Sequence, residues 1–126
     1  MFKNFLTYNL ALSFHRSCCT IDLPIHKRQS GQTVVSPVTL LKERLLRSSE
    51  TMINQFARAV HAPDAKEESK FLAVTLFCLR DCKETLDEAG VSEHEIVDQF
   101  RVLHGRMEQI CERACESEGG QFRLFG

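Results

Sequence analysis

The chain has 126 residues, 43% of them hydrophobic and 26% charged, with a formal net charge of −1. That length fits one domain spanning 1–126, and the near-neutral balance excludes a disordered polyelectrolyte or a uniformly basic nucleic-acid coat. Six cysteines, arranged as Cys18-Cys19, Cys78/Cys82 and Cys111/Cys115, are the compositional feature that most needs an explanation.

The first predicted helix covers 2–20. Asn4, Thr7 and Asn9 interrupt any signal-peptide core, and no small-residue cleavage pattern follows. No apolar run approaches the roughly 18 residues of a membrane span, so a cytoplasmic protein with reduced thiols and no membrane partner is expected. Projected at about 100° per residue, Phe5, Leu12 and Cys19 fall on one side of this helix, and Leu6, Leu10 and Phe14 on another. Nearly its whole circumference is apolar, which assigns Leu6, Leu10 and Phe14 to an oligomer interface. A long connection follows, about 21–36. Its Pro24–Ser36 portion is polar, carries Lys27 and Arg28, and reads as a surface loop.

The second helix, 37–61, starts with Ser36 before Pro37, because proline at the first helical position forfeits only a donor that has no partner there. Val38, Leu41, Leu45, Ser49, Met52, Phe56 and Ala59 form its core seam. Arg44, Arg47, Thr51, Asn54 and Arg58 share the opposite, polar face. Guanidinium groups spaced along a helix can meet phosphates bidentately, so Arg44, Arg47, Asn54 and Arg58, with Lys27 and Arg28, form the candidate nucleic-acid surface. The alternative is a solvated face, or one that pairs with an acidic helix of a neighbouring subunit. Residues 1–62 carry eight Lys/Arg against three Asp/Glu, and residues 63–126 eight against fourteen. The resulting +5 and −6 halves would attract one another head to tail.

The third helix, 65–89, opens on Asp64 with Glu67 three residues later, a capping box, and stops at Gly90. Phe71, Thr75, Cys78, Leu79, Cys82 and Leu86 make its core stripe. Ala73 and Phe77 point away and join the predicted oligomer interface. The fourth helix, 93–117, is predicted to start at the Ser92/Glu95 box and to end at Gly119-Gly120. Its seam is Ile96, Phe100, Leu103, Met107, Ile110 and Ala114, and a flexible tail, 118–126, follows. Phe122, Leu124 and Phe125 in that tail either fray or dock on a neighbour. Three long seams at alternating steps of four and three, plus the first helix, imply an all-α, antiparallel up-and-down four-helix bundle.

Chemistry is sparse. Cys78/Cys82 and Cys111/Cys115 each share a helix face, but their register and angular positions disagree, so no metal and no cofactor are expected. His15, His26, His61, His94 and His104 fall in no recognised ligand or catalytic spacing, and a packing role is expected ahead of a Cys–His pair such as His104 with Cys78. With no glycine-rich phosphate loop and no paired carboxylates, the chain is not expected to be an enzyme.

Arg47, Ser48, Ser49, Thr51, Met52, Ile53 and Asn54, followed by Phe71, Leu72, Ala73 and Asp81, resemble a bacterial four-helix-bundle family across residues 41–89. That family includes proteins encoded in ribosomal RNA intervening sequences and the accessory variability determinants of diversity-generating retroelements. The resemblance implies a non-enzymatic bundle, a homo-oligomer assembled as a ring of five (a pentamer), whose retroelement members bind a reverse transcriptase and its template RNA. Arg44, Arg47 and Arg58 would then face RNA. The alternative is a structural or scaffolding oligomer that binds protein partners without nucleic acid.

Overall fold

The computed structural model describes residues 4–23, 37–92 and 94–123, with side chains from 38 in the second stretch and up to 116 in the third. Four helices make up the described fold: α1 (Phe5–Thr20), α2 (Pro37–Val60), α3 (Ala65–Glu88) and α4 (Glu95–Arg123). α2 packs on α3, α3 on α4, and α1 on both α2 and α4, so α1 and α3 stand on a diagonal of an all-α four-helix bundle.

The ends of the helices follow from local chemistry. Asp64 accepts a hydrogen bond from the Glu67 amide at 2.8 Å, which satisfies one of the orphan donors at the start of α3. At the other end, Gly90 adopts φ 80, a left-handed conformation that glycine enters without a Cβ penalty. Its amide donates to the Asp87 carbonyl at 3.0 Å, and that of Val91 donates to Leu86 at 2.9 Å. These two bonds form a Schellman stop, and Val91 and Leu86 both bury their side chains beside it.

α1 begins at Phe5, three residues later than expected, and both ends of α4 also differ from the sequence expectation. α4 begins at Glu95, where the His94 ring accepts the Ile96 amide at 3.0 Å, and not at a Ser92 cap. An imidazole nitrogen with a free lone pair serves an orphan N–H as a serine hydroxyl does. α4 also runs through Gly119-Gly120 to Arg123, so residues 118–123 of the expected tail are helical. Glycine in a helix costs about 1 kcal/mol against alanine but, unlike proline, breaks no hydrogen bond.

The core takes its largest side chains from all four helices: Phe14, Phe56, Leu45, Met52, Leu72, Leu79, Leu86, Ile96, Leu103 and Met107. Cys78 and Cys82 lie in it as the seam of α3 requires. Ile21 and Leu23, at the start of the expected surface loop, are 7% and 6% exposed and close the α1 end of the core. Two buried hydroxyls are satisfied within their own helix: Thr75 donates to the Phe71 carbonyl at 2.8 Å and Thr85 to that of Asp81 at 2.7 Å. Thr7 accepts from Arg106 Nε at 3.2 Å, which pins α1 to α4.

α1 presents a different face from either side expected. Thr7, Ala11, Phe14 and Cys18 are buried, with Phe14 fully so and its ring 6.4 Å from that of Phe100. Phe14 is therefore a core residue and not part of an interface. With apolar residues almost all round, periodicity cannot rank the faces, and small Ala11 and Cys18 win because they let α1 approach its neighbours closely.

Candidate interaction surfaces

The polar face of α2 divides into two parts. Arg44 is engaged within the chain: its Nη2 meets Asp81 Oδ1 at 2.6 Å, its Nε meets Asp81 Oδ2 at 3.3 Å, and its Nη1 meets Glu88 Oε1 at 3.1 Å. Glu84 lies 3.5 Å from Nη2. This fork holds α2 against α3 and commits three of the five Arg44 N–H donors to carboxylates of the same chain, so Arg44 is less open to a phosphate than the exposed arginines of its face. α3 of the same chain supplies the acidic partner expected from a neighbouring subunit.

Hydrogen bonding to the Arg44 guanidinium holds the Asp81 carboxyl below its ordinary range, against the opposing effect of partial burial, and Ser48 adds a second donor. The same pairing raises the Arg44 guanidinium, chiefly through Asp81 and then Glu88. A carboxyl depressed in the folded state contributes stability above its unfolded value of about 3.9, and that contribution is lost as pH falls through the depressed native value. Urea titrations of wild type and Asp81→Asn should therefore diverge near neutrality and converge in acid, below about pH 4. A gap that stays constant with pH would show that the pair contributes nothing.

Arg47, Asn54 and Arg58 are exposed and Thr51 is half-buried, so these positions stay on one accessible face. Exposed Glu43 and Glu50 stand one turn either side of Arg47 and give that face mixed sign. Lys27 and Arg28 lie outside the described residues.

Among the described residues Phe5, Leu6, Leu40, Val74, Phe77 and Val102 are exposed large apolar side chains, and two separate patches draw on them. On α3, Phe77 is 72% exposed, with exposed Ala73 and Val74 beside it, Arg80 and Asp81 one turn after it, and Lys70 and Glu84 two turns away on either side. Across the bundle, Leu6 is 59% exposed and Leu10 half-buried, and Leu10 with Val102 lines a groove of about 380 Å³ between α1 and α4. Glu95 and Asp98 rim this groove. Gln99 lines it too, and its Oε1 is buried with no hydrogen-bond partner among the described residues. A buried acceptor left unpaired costs about 1–3 kcal/mol.

No family model, curated protein or solved structure matches the chain. The surfaces are thus read from their own chemistry.

All six cysteines are free thiols. Interaction with the Cys18 thiol, together with burial, pushes the Cys82 thiol far up. Burial likewise raises Cys78 and Cys111, the latter beside Cys115. Among the described residues, no group of three metal-ligating side chains converges. His104 is stacked 5.2 Å from Phe100, accepts from Arg80 Nε at 3.2 Å and meets Glu108 at 3.0 Å, so its ring is engaged away from Cys78. The sequence reading passed over the neighbour of His15: Cys19 Sγ lies 3.7 Å from its Nε2, at a helical i, i+4 spacing that was legible in the sequence.

Proposed function

We propose that the protein is a non-enzymatic, self-assembling helical scaffold of the cytoplasm whose copies join head to tail. The Phe77 patch of one copy would seat in the α1/α4 groove of the next. The observation that carries this reading is the placement of two unlike apolar patches on different sides of one bundle, one a protruding aromatic and the other a groove. Contacts between unlike patches are heterologous, and they close into rings where the rotation permits. Glu95 and Asp98 at the groove would meet Lys70 and Arg80 of the next copy, cations that also pair with Glu67 and Glu108 of their own chain. A ring of five, expected from the family resemblance, is one such closure.

Sedimentation velocity should give a mass several times the 14.4 kDa of one chain. Phe77→Glu should reduce that mass to a single chain with helicity unchanged, since the side chain is outside the core. A wild-type mass of one chain at high concentration would overturn the reading.

Exposed Arg47, Asn54 and Arg58 favour a second reading, that of an RNA-binding accessory to a reverse transcriptase. Retention of RNA that falls steeply with salt and is lost in Arg47→Glu/Arg58→Glu would support it. No retention at low salt would leave the scaffold alone.

A further inference from the structure

Cys19 is exposed at the last turn of α1, and its sulfur sits 3.7 Å from His15 Nε2. The other ring nitrogen, Nδ1, is 2.7 Å from the hydroxyl of Ser49 on α2. Ser49 is fully buried, and its Oγ donates to the Leu46 carbonyl at 3.2 Å. With the Ser49 proton on the Leu46 carbonyl, the Ser49 oxygen accepts from His15, and in that tautomer Nδ1 carries the ring proton and Nε2 turns a lone pair toward the thiol. A nucleophile, a base and a residue that orients the base are thus in line, drawn from two helices.

The thiol opens on space. Cys19 lines a cleft of about 680 Å³ with Ile21, Leu23, Val38 and Lys42. Lys42 Nζ donates to the Ile21 carbonyl and has two further N–H donors. Asp22 and Glu43 border the same cleft. Cationic and anionic groups side by side suit a small ligand that bears both an ammonium and a carboxylate.

We infer that Cys19 is a site of reversible thiol–disulfide exchange with small zwitterionic disulfides, with His15 as its proton acceptor. The Cys19 Sγ–H proton passes to His15 Nε2 as the sulfur attacks one sulfur of the disulfide. The S–S bond of the ligand breaks, a mixed disulfide forms on Cys19, and the departing thiolate takes the proton from His15. One disulfide is consumed and one is made, so no external oxidant enters, and a free thiol reverses the step.

Cys115 provides an internal control, being exposed as Cys19 is. The full chain is treated with cystine under native conditions, and each cysteine is followed by peptide mass spectrometry. Cys19 should be modified about tenfold faster than Cys115, and His15→Asn should bring it down to the Cys115 rate while Cys115 itself is unchanged. Ser49→Ala should slow Cys19 in the same selective way. Cys82, buried in the core, must stay unmodified in each variant, which separates loss of the base from loss of the fold. Equal rates at Cys19 and Cys115 in the wild type would overturn the inference without recourse to any variant. So would an unchanged Cys19 rate in a folded His15→Asn protein. Cystamine, which lacks carboxylates, should lose part of the Cys19 preference over Cys115, and retention of the full preference would overturn the assignment of a zwitterionic ligand.

Discussion

Phe14→Ala is expected to lower the unfolding free energy by about 3–5 kcal/mol, as truncation of a buried phenylalanine does elsewhere. The ring is fully buried between α1 and α4 and faces Phe100. Removing it takes away its transfer energy and leaves a cavity that α1, held by the Thr7–Arg106 bond, cannot collapse to fill. Domains of this size are stable by only about 5–15 kcal/mol, so the urea midpoint should fall sharply or the fold should fail. Leu6→Ala, at 59% exposure, should by contrast change the unfolding free energy by no more than about 0.5 kcal/mol. A Phe14→Ala protein that keeps its midpoint but changes its mass would return this residue to an interface and contradict the packing described here.

Arg44→Glu should cost about 2–4 kcal/mol. The substitution removes the only cation described among Asp81, Glu84 and Glu88 and places a fourth carboxylate beside them. Exposed pairs contribute about 0–1 kcal/mol and the breaking of buried ones costs about 3–5. Arg44 and Asp81, with side chains 34% and 24% exposed, belong between those limits. A double-mutant cycle with Arg44→Ala and Asp81→Ala should show a coupling of about 1 kcal/mol, and simple additivity would sink the claim. The result bears directly on RNA binding. Loss of binding in Arg44→Glu would report a weakened α2/α3 contact, so the substitutions that test phosphate contact are those at exposed Arg47 and Arg58.

The bundle was legible because its information is local or periodic. The seams of α2, α3 and α4, the Asp64 cap and the Gly90 stop each depend on residues within a few positions of one another. What was not legible depended on neighbours. The buried face of α1 could not be chosen from a helix apolar on all sides. Arg44 looked like the other arginines of its face because periodicity says which residues lie opposite a seam, and not which of them border the next helix. The outward position of Phe77 and Ala73 was legible for the converse reason, since they lie almost diametrically away from a strong stripe. The pair His15 and Cys19 was present in the spacing, but its significance depended on Ser49, 34 positions along the chain.

That long-range bond gives α1 a second property. The ring that faces Cys19 is oriented only while α1 lies against α2, because its other nitrogen is held by a residue of the neighbouring helix. If α1 swings away in a local opening, His15 and Cys19 remain four residues apart on the same helix, but the ring is free to rotate and either nitrogen can carry its proton. The reactivity of the thiol is therefore a readout of tertiary structure, and amide hydrogen exchange across α1 and the rate of reaction at Cys19 should rise and fall in opposite senses.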